Sequence, residues 1–335
     1  MKTRLNKYFS LLLILVLFIA GCNSGDDSSP YDSVLLQPPY SSLTDSIKAD
    51  HNNPELYFHR ALLLKKNNLP EPALADFKKA WSLKDKEEYA ANITALLLEN
   101  KPDSVVVFAN EALKKLPASI FLKLDLARAY NDLNKKDEAL NVCNDIIKQA
   151  PGHIDALMMK SDLLEEKQDA AGSLAALETA YSLAPFDQEL NYNLAYKYAE
   201  GKNAKVLSLC DSLIKKSSAN NHPEPYYFKG IYYSNINDKQ KAIENFDLAI
   251  LQDHNFHNAY LEKGKVYYDQ KKIQEALKAF TLLSTITPSF ADAYYWIAKC
   301  RQALGQNTEA KENYQRAFGL DKTLTEAKDS ADKIK

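Results

Sequence analysis

The chain has 335 residues, 46% apolar and 26% charged, with nine glycines; this composition suits a helix-rich body with an extended core. Its 42 basic residues against 44 acidic ones show no basic bias, and so exclude the electrostatic footprint that a nucleic-acid partner requires.

The first 22 residues read MKTRLNKYFSLLLILVLFIAGC. Basic Lys2, Arg4 and Lys7 precede an apolar run from Leu11 to Ala20, and small residues then lead to a cysteine, which is the order of a secretory signal peptide. The run falls well short of the roughly 20 apolar residues that cross a bilayer. Ile19, Ala20, Gly21 and Cys22 resemble the bacterial lipobox, and that resemblance implies cleavage after Gly21 and an acylated, palmitate-bearing Cys22 as the membrane anchor. Loss of the leader leaves 39 basic against 44 acidic residues, so the mature chain gains little from anionic headgroups. At roughly 0.8 kcal/mol per buried methylene, the acyl chains supply the hold.

Residues 22–39 begin NSGDDSSPYDS after the cysteine and are read as a flexible tether. Asn23 is not the aspartate that resembles an inner-membrane retention signal, so the outer membrane is expected, on either face. Asp26 and Asp27 loosely resemble surface-export signals of Bacteroidetes lipoproteins. Residues 40–53 carry Leu43 and Ile47 at helical spacing, which predicts an N-terminal capping helix.

From residue 54 the chain repeats itself. Residues 264–280 echo residues 230–246, and a small or compact residue recurs at Ala73, Val105, Ala139, Ser173, Val206, Ala242, Ala276 and Ala310, at intervals of 32 to 36 residues. About twelve residues before each stands another: Ala61, Ile93, Ala127, Ser161, Ala195, Gly230, Gly264 and Ala298. Small residues at paired places let two antiparallel helices approach closely. Larger side chains fill around them, Tyr57, Tyr89, Leu157, Tyr226, Tyr260 and Tyr294 near the start of each repeat and Phe77, Leu177, Phe246, Phe280 and Tyr314 near its end. Prolines 117, 151, 185 and 288 punctuate the connections.

This pattern resembles the tetratricopeptide repeat family. The resemblance implies an all-α fold, a right-handed α-solenoid of about eight helix-turn-helix repeats with capping helices at both ends. Arg301, Ile93 and Ser173 depart from the family's preferred residue types. Helices of about 12 residues are marginal alone and must be stabilised by stacked neighbours. Repeats one to five are expected over residues 54–214, an irregular joint dividing the array over 215–222, repeats six to eight over 223–324, and a polar capping helix over 325–335.

No nucleophile elbow, HExxH, phosphate-binding loop or GxGxxG opens a route to catalysis, so no enzyme, cofactor or small-molecule substrate is expected. His254 and His257 beside Asp253 imitate a metal site but read as solvated loop residues. Cys143, Cys210 and Cys300 read as small buried hydrophobes.

Function is then expected on the concave face that the resemblance assigns to the first helix of each repeat. In the first four repeats that face mixes apolar and acidic residues, among them Phe121, Leu124, Asp155, Met158 and Asp162, and lacks the lysine and asparagine set with which some family members clamp a terminal carboxylate. Fourteen of the twenty tyrosines follow residue 180. Tyr192, Tyr196, Tyr227, Tyr268 and Tyr295, with Lys265 and Lys299, lack a packing duty in the repeat frame and form the candidate partner-binding groove. Packing of these rings along one another is the competing reading. The sequence points to a lipid-anchored scaffold or assembly factor that docks an extended peptide or helix of an envelope protein; the alternative is stacking of the tyrosines on an exported glycan or peptidoglycan.

Overall fold

In a computed structural model, the residues described are 30–216 and 222–334, and all their regular structure is helical. The leader, Cys22 and most of the expected joint lie outside them.

Local chemistry sets the helix starts. Pro54, Pro70 and Pro102 stand in first turns, where a missing N–H costs nothing. Asn53, Ser119, Asp169, Asp187 and Asp238 each accept a hydrogen bond from an N–H two or three residues on. The turns inside the hairpins share one geometry. Asn68, Asn134, Gln168, Lys202, Asn237, Lys271 and Gly305 all have positive φ, and the next residue donates its N–H to the carbonyl five back, as Asn203 does to Tyr198 at 2.7 Å and Lys272 to Tyr267 at 2.9 Å. This closure gives the first helix a sharp stop and satisfies its last carbonyls. The second repeat has no such residue between its helices.

That repeat is where the fold divides. One compact body ends at Glu99 and the other begins at Asn100; residues 217–221 of the joint expected from the sequence lie outside the described residues. In the first body α1 (Asp32–Leu35) and α2 (Ser41–Ala49) precede α3 (Pro54–Lys66), α4 (Pro70–Leu83) and α5 (Glu87–Leu98). Part of the expected tether is therefore folded. Leu35 and Tyr40 are buried, and Asn67 donates to the Tyr40 hydroxyl at 2.7 Å. In α2 the buried pair is Thr44 and Ile47, with Leu43 half-buried, because the Thr44 hydroxyl donates to Leu35 O at 2.7 Å and accepts from Arg60 at 2.9 Å. Arg60 in turn forks onto Asp76 at 2.7 and 2.8 Å.

The second body runs from α6 (Pro102–Lys115) through the pairs α7 (Ile120–Asp132) and α8 (Lys136–Gln149), α9 (Ile154–Glu166) and α10 (Ala170–Leu183), α11 (Gln188–Glu200) and α12 (Lys205–Lys216). It continues with α13 (Glu224–Asn235) and α14 (Lys239–Gln252), α15 (His257–Asp269) and α16 (Ile273–Ile286), α17 (Ala291–Ala303) and α18 (Asn307–Leu320), and closes on α19 (Thr325–Lys333). Helix α19 buries Ala327 and Ala331 against α18, and Lys311 donates to Ile334 O at 3.0 Å.

The paired small residues are buried in every repeat. The structure adds what their size makes room for. A Cβ on Gly230 would stand 2.5 Å from the Phe246 ring, and one on Gly264 would meet Phe280 as closely. The small residue of the first helix thus seats the aromatic that closes the second. In the fourth repeat both small residues are serines, and their hydroxyls share a hydrogen bond of 3.0 Å. A single apolar cluster joins Leu190, Leu194, Tyr198 and Val206 to Phe228, Ile231, Tyr232 and Phe246, so the core passes from α11 and α12 to α13 across residues 215–222.

Candidate functional site

The seven residues singled out from the sequence lie in the second body, on the first helices of the last four repeats. They gather around two rings that the repeat frame did not mark. Phe228 is the first hub: its centroid stands 5.9 Å from Tyr192, 6.3 Å from Tyr196 and 5.8 Å from Tyr227. Trp296 is the second, 5.5 Å from Tyr268 and 6.0 Å from Tyr295, both edge-on, and stacked on Phe280 at 5.5 Å. Both hubs end a triplet of two tyrosines and a third aromatic, residues 226–228 and 294–296. That recurrence was the available signal.

The tyrosines therefore pack, yet remain reachable. Tyr196 is 45% exposed, and the other four are half-buried. The Tyr192 hydroxyl lies 3.1 Å from His222 Nδ1, and Tyr295 donates to Glu326 at 2.9 Å. Burial raises the hydroxyl pKa of all five, and Tyr295 is pushed up to about 12 by burial and then by Glu326. These rings are neutral hydrogen-bonding surface throughout the ordinary pH range.

Charge is interleaved with them. Lys299 Nζ lies 4.4 Å from the Trp296 centroid, 5.4 Å from Tyr295 and 5.7 Å from Tyr268, an ammonium among three ring faces. Lys265 faces Trp296 at 5.9 Å and pairs with Glu262 at 2.7 Å. Beside Tyr196, burial and the neighbouring Glu262 carboxylate push Glu200 above the usual carboxylate range. Glu165 is held low by Lys197, which donates to it at 2.5 Å.

Two hollows open beside these helices. One, of about 390 Å³, is lined by α7, α9 and Glu189 of α11; the other, of about 380 Å³, lies between α10 and α11 and includes Tyr196 and Glu200. Elsewhere, side chains weighed for chemistry have other duties. Burial pushes Cys143 up to about 11 and both Cys210 and Cys300 to about 12, so these free thiols stay protonated and inert. His254 Nδ1 lies 2.7 Å from Ile250 O, and His257 packs on Phe290. Among the described residues no three histidine, cysteine or carboxylate side chains are grouped to hold a metal, and no helix is long and apolar enough to cross a membrane.

Helical hairpins of near-constant length, all but the second closed by the same turn, with paired small residues buried in each, define a helical-repeat protein. The tetratricopeptide repeat family matches residues 124–202, 223–254, 257–290 and 291–324, and the chain carries tetratricopeptide repeats over these stretches. Such repeats generally serve protein–protein contact or scaffolding. A tetratricopeptide repeat protein from Parabacteroides merdae has a similar fold, with a TM-score of 0.51 and 13% identity over 84% of this chain and 98% of its own. Heat shock protein STI1 of Saccharomyces cerevisiae is 32% identical over 98 residues, 29% of this chain and 17% of that protein. Protein O-mannosyl-transferase TMTC3 of Homo sapiens is 26% identical over 121 residues, 36% of this chain and 13% of that protein. The chain thus spans less than a fifth of the length of these two relatives.

Proposed function

We propose that this protein is a non-catalytic scaffold of a bacterial cell envelope, anchored in the outer membrane by a lipid on Cys22, that docks a partner protein along the first helices of its last four repeats. The observation that carries the reading is the pair of aromatic clusters around Phe228 and Trp296, whose tyrosines keep accessible faces although their rings pack. Tyrosine and tryptophan give large contact area with a polar tip at little entropic cost. Lys265 and Lys299 place cations on the same surface, which adds orientation to the contact. The anchor rests on the sequence from Ile19 to Cys22.

Two measurements test it. Crosslinking in native envelopes, comparing the wild type with a Tyr192→Ala, Tyr227→Ala, Tyr268→Ala, Tyr295→Ala variant that keeps its helical circular dichroism, is expected to recover a protein partner only with the wild type. Recovery of the same partner by both moves the contact off this face; recovery of glycan alone supports the carbohydrate alternative. For the anchor, Cys22→Ser is expected to shift the protein from the membrane to the soluble fraction and abolish palmitate labelling, and unchanged fractionation rejects lipidation at Cys22.

A further inference from the structure

The hollow of about 390 Å³ on the first helices of the third and fourth repeats lies outside the aromatic clusters, and its lining is amphipathic. Its floor is apolar: Leu124 of α7 and Leu163 of α9 are buried beneath half-exposed Met158 and Met159. Phe121, one turn before Leu124 on α7, is 65% exposed. Its rim carries four carboxylates, Asp155, Asp162, Glu166 and Glu189, against one guanidinium, that of Arg128. Arg128 is turned to Asp125 of its own helix at 3.1 Å, and Glu166 is held by Lys136 at 2.5 Å. Asp162 is exposed, and partial desolvation, with the like charges of Glu165, Glu166 and Glu189 against Lys197, raises its carboxyl pKa. All four carboxylates are exposed, so the rim presents an excess of negative charge to an incoming cation.

We propose that this hollow is a docking pocket for a lysine or arginine side chain of a partner polypeptide, the aliphatic stem lying over Met158 and Leu124 and the charged head among Asp155, Asp162 and Glu189. Size and chemistry agree on this occupant. A long basic side chain covers apolar surface with its methylenes while its head stays among polar groups, and methionines adapt their shape to such a stem. A neutral apolar side chain would make no use of the carboxylates, and an anion would be repelled. The adjoining Phe121 offers a flat contact for an apolar residue next to the cation.

The proposal rests on the reading of this protein as a protein-binding scaffold, and the experiment separates the two. A random heptapeptide display library is panned against the full chain in detergent, against an Asp155→Asn, Asp162→Asn, Glu189→Gln variant, and against the four-tyrosine variant above. These carboxamide replacements keep side-chain shape at exposed positions, so the first variant is expected to melt close to the wild type. Wild-type selections are expected to enrich lysine or arginine beside an apolar residue. A synthetic peptide of that consensus should bind the charge variant about tenfold more weakly, as loss of several partly exposed ion pairs implies, and should bind the tyrosine variant unchanged. Its affinity for the wild type should also fall as salt rises from about 0.05 to about 0.5 M. Enriched peptides without a cation, or equal binding to the charge variant, overturn the pocket while leaving the scaffold reading intact. A library from which nothing is enriched counts against both.

Discussion

Lys271 is held at φ 62° and Gln168 at φ 63°, conformations that cost an ordinary side chain about 1–2 kcal/mol and glycine almost nothing. Lys271→Gly is therefore expected to raise the melting temperature, gaining up to about 1 kcal/mol after the greater freedom of the unfolded glycine is offset, whereas Asn68→Gly should change it little. A lower melting temperature for Lys271→Gly would mean that the lysine side chain contributes more than the turn strain. Gly264 has the opposite character. Its missing Cβ is the space the Phe280 ring occupies, so Gly264→Ala should lose about 1–3 kcal/mol in urea unfolding through overpacking. Acid titration tests a third residue. Glu178 accepts from Lys205 at 2.7 Å and from the Tyr198 hydroxyl at 2.6 Å, and the lysine first, then the tyrosine, holds its pKa down. A depressed carboxylate contributes stability that is complete above its unfolded pKa and is lost as pH falls through the folded value. Glu178→Gln should accordingly lower the melting temperature at neutral pH, where that contribution is complete, and converge on the wild type in acid, so that its plot of melting temperature against pH has the flatter acid limb.

At the scale of the elements, α2, α3 and α4 are joined by one polar chain: Leu35 O, Thr44, Arg60 and Asp76. The Arg60 and Asp76 side chains are only 7% and 8% exposed. Removing one member strands a buried charge, so Arg60→Met should cost about 3–5 kcal/mol, while Arg60→Met combined with Asp76→Leu should recover much of that loss. Thermal melts of the two variants decide it; equal losses would show that the pair is not coupled. The repeat frame did not mark this network: a basic residue recurs at the place of Arg60, as Lys160, Lys229 and Lys263, but no other repeat has an aspartate at the place of Asp76. The recurrent residues, by contrast, marked their own helices. Ala127 with Ala139, and Ala298 with Ala310, are fully buried as their spacing implied. The candidate site was legible by half. Tyr196 and Tyr227 stood out because no packing place claimed them, but Phe228 and Trp296, which gather them, share a place in only two repeats, directly after recurrent tyrosines.

For the whole chain, the division at Glu99–Asn100 and the continuous core across residues 215–222 make a prediction about fragments. Residues 100–335 expressed alone are expected to unfold in one cooperative transition. Cutting the chain within 215–222 should instead expose Phe228, Ile231 and Tyr232 on one piece and Leu194 and Tyr198 on the other, giving two aggregation-prone fragments. Stable, soluble pieces from the second cut would show that the joint read from the sequence is the true boundary.

The sequence by itself determined the hairpins, their number and their register, because a repeat's core is built from residues about twelve and sixteen apart, a separation that a one-dimensional period records. It also carried the lipobox-like stretch before Cys22, which lies beyond the described residues. Only the tertiary structure decided that residues 31–40 fold onto α2 and α3, that the chain divides within the second repeat, and that two aromatic hubs and an acid-rimmed hollow lie on the first helices of the repeats. Each of these depends on side chains from neighbouring repeats meeting in space. Such contacts follow rotamers and helix placement rather than composition, so no spacing along the chain announces them.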